Sequence, residues 1–245
     1  HFYSYTFDFL VDYYLSINEF NRNELIQRSH VKSKKVGVIN DGIPWIGNAD
    51  CLKERVWPSN NIAMVANFDE GKGHNILIEG IHLLKKRGTI INAFIIGGYS
   101  QSNYHIYKQM VDLVRKYKLD DQIQFKGFSA NLVDSIADIP IVVLPSDSEG
   151  TPNCLLEAMS LKKIVISSEV GGVPEFIIDM KNGILHKSKS PFEFANAIIK
   201  VLKLNTSEMI DISNNGYNTW KRYNCESVIN RLIENYYNLL NIHIN

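Results

Sequence analysis

The run Pro145-Ser146-Asp147-Ser148-Glu149-Gly150-Thr151-Pro152-Asn153-Cys154-Leu155-Leu156-Glu157-Ala158-Met159 constrains this chain more than any other stretch. An apolar segment, Ile139 to Leu144, precedes it and reads as a buried strand. The strand ends in a polar turn, and a helix follows. Thr151 suits the N-cap of that helix, and Pro152 suits its first position, where no backbone donor is needed. The amides of Asn153, Cys154 and Leu155 then lack intrahelical partners and point back at the strand end. Such a helix start attracts anions, because unpaired N–H groups and the helix dipole act together. Glu149 stands before the turn and Glu157 one turn into the helix. An anion site flanked by two carboxylates suits a ligand with both phosphates and hydroxyls, and a nucleotide sugar is one.

From Asn61 onward the pattern alternates. Ile62 to Ala66, Ile91 to Ile96, Ile123 to Phe125, Ile141 to Leu144, Ile164 to Ser167 and Ile184-Leu185 read as strands. Ile76 to Lys86, Tyr104 to Tyr117, Asn131 to Ala137, Asn153 to Leu161 and Pro174 to Asp179 read as helices. Strands alternating with helices predict a parallel sheet covered on both faces, with ligands bound beyond the carboxyl ends of the strands. The turns at Phe68 to Gly73, Gly97-Gly98, Gly127-Phe128, Glu149-Gly150 and Gly171-Gly172 all follow strands, so they gather on one sheet edge. After Pro191 the chain reads as helical. Apolar stripes over Phe192 to Leu204 and Val228 to Leu240 are expected to pack into the core.

Before Asn61, Tyr13 to Asn18 reads as a strand, Asn18 to Ser29 as a capped helix and Val36 to Ile43 as a strand entering a turn. This does not read as the opening of a domain. The 245 residues, 45% of them hydrophobic, are enough for one sizeable domain plus a remnant. Lys+Arg and Asp+Glu balance at 26 each, so no overall field favours nucleic acid as a partner. Lys32-Ser33-Lys34-Lys35 and Lys85-Lys86-Arg87 read as solvated ends. No uninterrupted apolar run approaches a membrane span, and no signal peptide is visible. Cys51, Cys154 and Cys225 are odd in number and lack metal spacing, so free thiols in a reducing cytoplasm are expected.

Glu149-Gly150-x-Pro152, Leu155-Leu156-Glu157-Ala158-Met159 and Gly171-Gly172-Val173-Pro174-Glu175 together resemble the donor-binding half of the retaining glycosyltransferases of the GT-B fold, family 4. That family carries two glutamates separated by seven residues, as Glu149 and Glu157 are here. The resemblance implies an α/β fold: a Rossmann-like parallel sheet with helices on both faces, preceded by a remnant of an N-terminal acceptor domain. It divides the chain into that remnant and linker (1–48), a nucleotide-sugar-binding domain (49–225) and a helix (226–245) returning to the N-terminal domain, part of whose Tyr-rich stripe is expected to be exposed where that domain is absent. The implied activity is transfer of a sugar, with retention, from a nucleotide diphosphate to a glycan or lipid-linked acceptor. The chain is then expected to be a fragment, inactive without the missing N-terminal domain. The expected location is the cytoplasm, with peripheral association at the inner membrane face in the case of a lipid-linked acceptor.

By the same resemblance Glu149 faces the donor sugar and Glu157 the ribose hydroxyls. Gly150, Thr151, Pro152 and the amides from Asn153 to Leu155 surround the phosphates. Phe68-Asp69-Glu70-Gly71-Lys72-Gly73 matches the loop whose Lys-Gly pair grips the diphosphate, with Lys72 as the lysine. The family's arginine five residues earlier is Asn67 here, which offers a neutral donor in place of a charge. Lys126-Gly127-Phe128 follows a strand and resembles the place where backbone groups meet the base. Asp147-x-Glu149 imitates a metal-binding pair, but two carboxylates alone are thin for a hard cation, and no metal or other cofactor is expected. His74 and His186 read as satisfied polar residues. A non-catalytic nucleotide-sugar-binding partner subunit and a sugar-nucleotide epimerase of the same fold remain alternatives.

Overall fold

The computed structural model describes residues 10–47 and 59–240. Strand β1 (Tyr14–Ser16), helix α1 (Glu19–Ser29) and strand β2 (Val36–Val38) form a small layer of their own, with β1 and β2 paired in parallel. Asn18 caps α1 as its position suggests: its side chain accepts from the Asn21 amide at 2.7 Å. Cys51 and the expected domain boundary at 48/49 lie outside the described residues.

Strands β3 (Asn61–Val65), β4 (Asn92–Ile96), β5 (Ile123–Gly127), β6 (Ile141–Leu144), β7 (Ile164–Ser168) and β8 (Ile184–His186) form a parallel sheet in the order β5-β4-β3-β6-β7-β8. β6 and β7 are buried along their whole length. The all-apolar run of β6 follows from having helices on both faces. Helices α2 (His74–Lys86), α3 (Tyr104–Lys116), α4 (Leu132–Ser135), α5 (Asn153–Ser160) and α6 (Pro191–Leu202) connect and cover the strands. Helices α7 (Thr206–Trp220) and α8 (Cys225–Leu239) follow. α2 packs on α6, and α5 on α7. Asn205 and Glu208 start α7 with reciprocal side-chain-to-backbone bonds of 3.0 and 2.8 Å.

The order of strands locates the site. The sheet grows outward from β3 through β4 and β5, then restarts from β6 on the other side of β3. The connections leaving β3 and β6 therefore diverge and open a crevice at their carboxyl ends.

Two sequence expectations are corrected. Pro174 to Asp179 is not a helix: one 3-10 turn, Val173–Glu175, occupies its start. The Asn182 side chain accepts from the Ile178 amide at 2.7 Å and donates to the Phe176 carbonyl at 2.8 Å, which folds the rest into a loop. The apolar stripe of α8 is also not in the core. Val228 is its buried residue, whereas Ile229, Ile233, Tyr236 and Leu239 are 52%, 43%, 54% and 43% exposed. α8 leaves the sheet and is tethered near its start, where Asn224 bridges Ile43 and Arg231 Nη1 donates to Asn40 Oδ1 at 3.2 Å. Among the described residues nothing covers the stripe. No helix among them is long and apolar enough to cross a membrane.

Candidate functional site

Two adjoining clefts of about 380 and 370 Å³ lie at the carboxyl ends of β3 and β6, sharing Val65, Ala66 and Asn67. Asp69, Lys72, Leu144, Glu149 and the start of α5 complete the first; Gly97, Phe128 and Glu157 help to line the second. The loop after β3 is held against the loop after β6 by their main chains. Asp147 N donates to Gly71 O at 2.7 Å. Gly73 has φ +79°, and a Cβ there would lie 1.9 Å from the Pro145 carbonyl oxygen, so only glycine fits. This contact carries Lys72 to the cleft.

Lys72 Nζ donates to Glu149 Oε1 at 2.9 Å; the side chains are 33% and 8% exposed. Glu149 is thus a paired, nearly buried acid and not a loop acid in solvent. Behind it, Gly171 and Gly172 press on the main chain of Glu149 and Gly150. The Gly172 amide donates to the Glu149 carbonyl at 3.2 Å, and a Cβ on Gly171 would lie 1.8 Å from that oxygen.

The helix start differs by one residue from the sequence expectation. Pro152 is the N-cap of α5, and Thr151 is not. The Thr151 hydroxyl instead accepts from Asn18 Nδ2 at 3.2 Å. The Leu155 amide is also not free, because the tight first turn directs it to the Pro152 carbonyl at 3.1 Å. The amides of Asn153 and Cys154 have no partner among the described residues, so the open end of α5 consists of two N–H groups, the kind of end to which an anion can bind. Burial pushes the Cys154 thiol up to about 12. Cys154 lines the wall of the first cleft.

In the second cleft, burial raises the Glu157 carboxyl above its ordinary range. Phe128, 75% exposed, lines the same cleft. Asn67 sits between the clefts, its Oδ1 accepting from the Gly98 amide at 3.0 Å. Gly73, Gly150, Gly127, Leu155 and Lys126 line neither cleft. The first two act as main-chain support, and Gly127 stays in the β4–β5 ladder. The Lys126 ammonium lies 5.2 Å over the Phe94 ring, a cation–π contact that draws it away from the second cleft. His74 and His186 are less satisfied than expected, since each keeps Nε2 buried without a partner. His74 stacks on Phe68 at 4.4 Å, and burial lowers it to about 4.

Sequence reasoning missed Asp69, whose carboxylate accepts from Asn103 Nδ2 at the wall of the first cleft. It also missed the reach of Asn18 to Thr151, 133 residues away. The capping signal at Asn18 was legible, but nothing local announces the second bond. Among the described residues no three His, Cys, Asp or Glu side chains group as a metal site.

A model of the family described as glycosyl transferases group 1 matches residues 55–219. WcaL of Escherichia coli, provisionally assigned as a colanic acid biosynthesis glycosyltransferase, is 28% identical over 62% of this chain and 38% of its own length. The amylovoran biosynthesis glycosyltransferase AmsK of Erwinia amylovora is 31% identical over 51% of this chain and 32% of its own. The chain therefore spans well under two thirds of these relatives. Among solved structures, a Rickettsia africae glycosyltransferase superposes with a TM-score of 0.83 at 19% identity, over 96% of this chain and 67% of that one. HepE of Anabaena, solved with UDP-glucose, gives a TM-score of 0.80 at 19% identity, over 92% and 63%. These two likenesses show the fold: the Rossmann-like layer of GT-B glycosyltransferases.

Proposed function

Because the chain belongs to the glycosyl transferases group 1 family, we propose that it is the donor-binding part of a glycosyltransferase that moves a sugar from a nucleotide diphosphate to a glycan or lipid-linked acceptor, with retention. The observation that carries this reading is one cleft holding Lys72, the two unpaired amides of Asn153 and Cys154, and Glu149, with Glu157 in the adjoining cleft. In the reaction the bond between the sugar carbon and the diphosphate oxygen breaks and its electron pair leaves on that oxygen. An acceptor hydroxyl oxygen forms the new bond on the same face, and its proton passes to the departing diphosphate. Lys72 and the α5 amides offset the charge on the leaving group, without a metal in the reading. Glu149 orients the sugar, and Glu157 accepts hydrogen bonds from the ribose hydroxyls. No enzyme nucleophile is assigned. In this reading residues 1–48 close an acceptor domain, 49–225 form the donor domain and 226–245 return toward the acceptor domain.

Asn67 supports a second reading, a nucleotide-sugar-binding subunit without turnover, since no cation stands there to neutralise the departing diphosphate. Isothermal titration with UDP, GDP and ADP and their glucose conjugates, followed by a donor-hydrolysis assay, tests both. Binding with turnover supports the transferase. Binding without turnover, even when an acceptor domain is supplied, supports the subunit. Binding of none of the six overturns both.

A further inference from the structure

Glu175 lines neither cleft. Its carboxylate nevertheless accepts two backbone hydrogen bonds from the first turn of α1, from Glu19 N at 2.9 Å and Phe20 N at 2.7 Å. Asn18, 1% exposed, completes that turn by accepting from Asn21 N, and donates from its other side-chain atom to Thr151 Oγ1. The free amides of the α1 start are thus filled by Asn18 and by an acid 155 residues further along the chain. The carboxylate also meets the positive end of the helix dipole.

The same elements enclose Glu149-Gly150-Thr151. On one side, a Cβ on Gly172 would lie 2.4 Å from the Gly150 carbonyl and 2.5 Å from Asn18 Nδ2. On the other, a Cβ on Gly150 would lie 3.3 Å from Ile17 Cδ1 and 3.5 Å from Asn21 Nδ2. The loop that carries Glu149 is therefore layered between the Gly171-Gly172 turn and the start of α1, and Glu175 bonds those outer layers to each other.

We propose that Glu175 and Asn18 are positioning residues for the donor site: they clamp the start of α1 over the Glu149 loop and fix where the Glu149 carboxylate stands relative to Lys72 and the start of α5. This rests on the reading of Glu149 as the sugar-facing residue. It goes further in making the small N-terminal layer part of the donor site, so that a movement of α1 moves Glu149. The Glu175 contacts lie at the surface, so Glu175→Ala removes the clamp without opening the core.

The test has two independent readouts on the wild-type protein, Glu175→Ala and the conservative Glu175→Gln, which keeps one acceptor oxygen. Hydrogen exchange needs no ligand. Glu175→Ala is expected to speed exchange both in the first turn of α1 and across residues 149–151, with Glu175→Gln intermediate. In titrations with UDP and UDP-glucose, or the matching pair of whichever base the wild type binds, Glu175→Ala should weaken the sugar nucleotide about three- to tenfold and leave the bare diphosphate unchanged. In the Glu149→Ala background the same change should add nothing. Unchanged exchange at 149–151, equal losses for both ligands, or additive losses with Glu149→Ala would each overturn the proposal. If the wild type binds no nucleotide, the proposed function fails and exchange alone decides the clamp.

Discussion

Lys72 and Glu149, 77 residues apart in sequence, meet at 2.9 Å at the wall of the first cleft, so the cation proposed to meet a phosphate is already held by the acid proposed to face a sugar. An incoming diphosphate competes with Glu149 for the same ammonium. Lys72→Ala should weaken nucleoside diphosphate binding about tenfold or more, the worth of a charge-assisted hydrogen bond. Glu149→Ala should not weaken it, because it removes both a competitor and a negative charge, while sugar-dependent binding falls. Titration of each variant with the diphosphate and its sugar conjugate checks this; equal losses in both variants would contradict the division of roles.

Asn67→Arg places a guanidinium between the two clefts. Donor affinity should rise, because a bidentate charged contact replaces a neutral amide. The Gly98 amide loses its acceptor, but that bond is exposed, so melting temperature should fall little. Affinity that stays level in a protein with an unchanged circular dichroism spectrum would show that the side chain at 67 does not reach the diphosphate.

Glu157 gives a pH signature. Its carboxyl is raised by burial, so the folded protein holds a proton that the unfolded chain has released over the window that opens at the ordinary value of 4.5. Stability therefore falls as pH rises through that window. Glu157→Gln should raise the melting temperature near pH 7 and lose that advantage near pH 4, as calorimetry at the two pH values would read. The same variant should weaken bare nucleoside diphosphate if the ribose is the partner of Glu157, as proposed. A melting difference independent of pH would mean that burial of the charge is not what raises the carboxyl.

His74 gives the opposite slope on the acid side. Burial holds it neutral down to about 4, against an ordinary 6.5. Between those values the unfolded chain binds a proton that the folded one does not. The contribution of His74 is therefore complete above pH 6.5 and lost as pH falls to 4, by about 3 kcal/mol for a shift of this size. Denaturant titrations of wild type and His74→Phe, which keeps a ring against Phe68, should diverge over that range; parallel curves would show that another group governs acid lability.

Much of the fold was legible because its cues are local. The all-apolar Ile141–Leu144 run, the polar turn and the helix start at Asn153 need only neighbouring residues to be read. Where the reading slipped, a distant partner decided. Thr151 yielded the cap to Pro152 with its hydroxyl bound to Asn18. The period of α8 gave its amphipathic character correctly, but a period reports which side is apolar and not what covers it. Glu149 and Lys72 were named separately; their contact needed the topology that brings the β3 and β6 loops together.

The loops under the clefts touch main chain to main chain, at Gly73 with Pro145, Gly171 with Glu149 and Gly172 with Gly150. None of these three glycines tolerates one additional carbon, so the frame of the site is closed to mutational drift. Divergence in ligand preference is channelled into the side chains that hang from the frame: Asn67, Asp69 and Phe128. A library randomised at those three positions would retain folded members and sort them by ligand, while one randomised at Gly73, Gly171 and Gly172 would return the starting sequence.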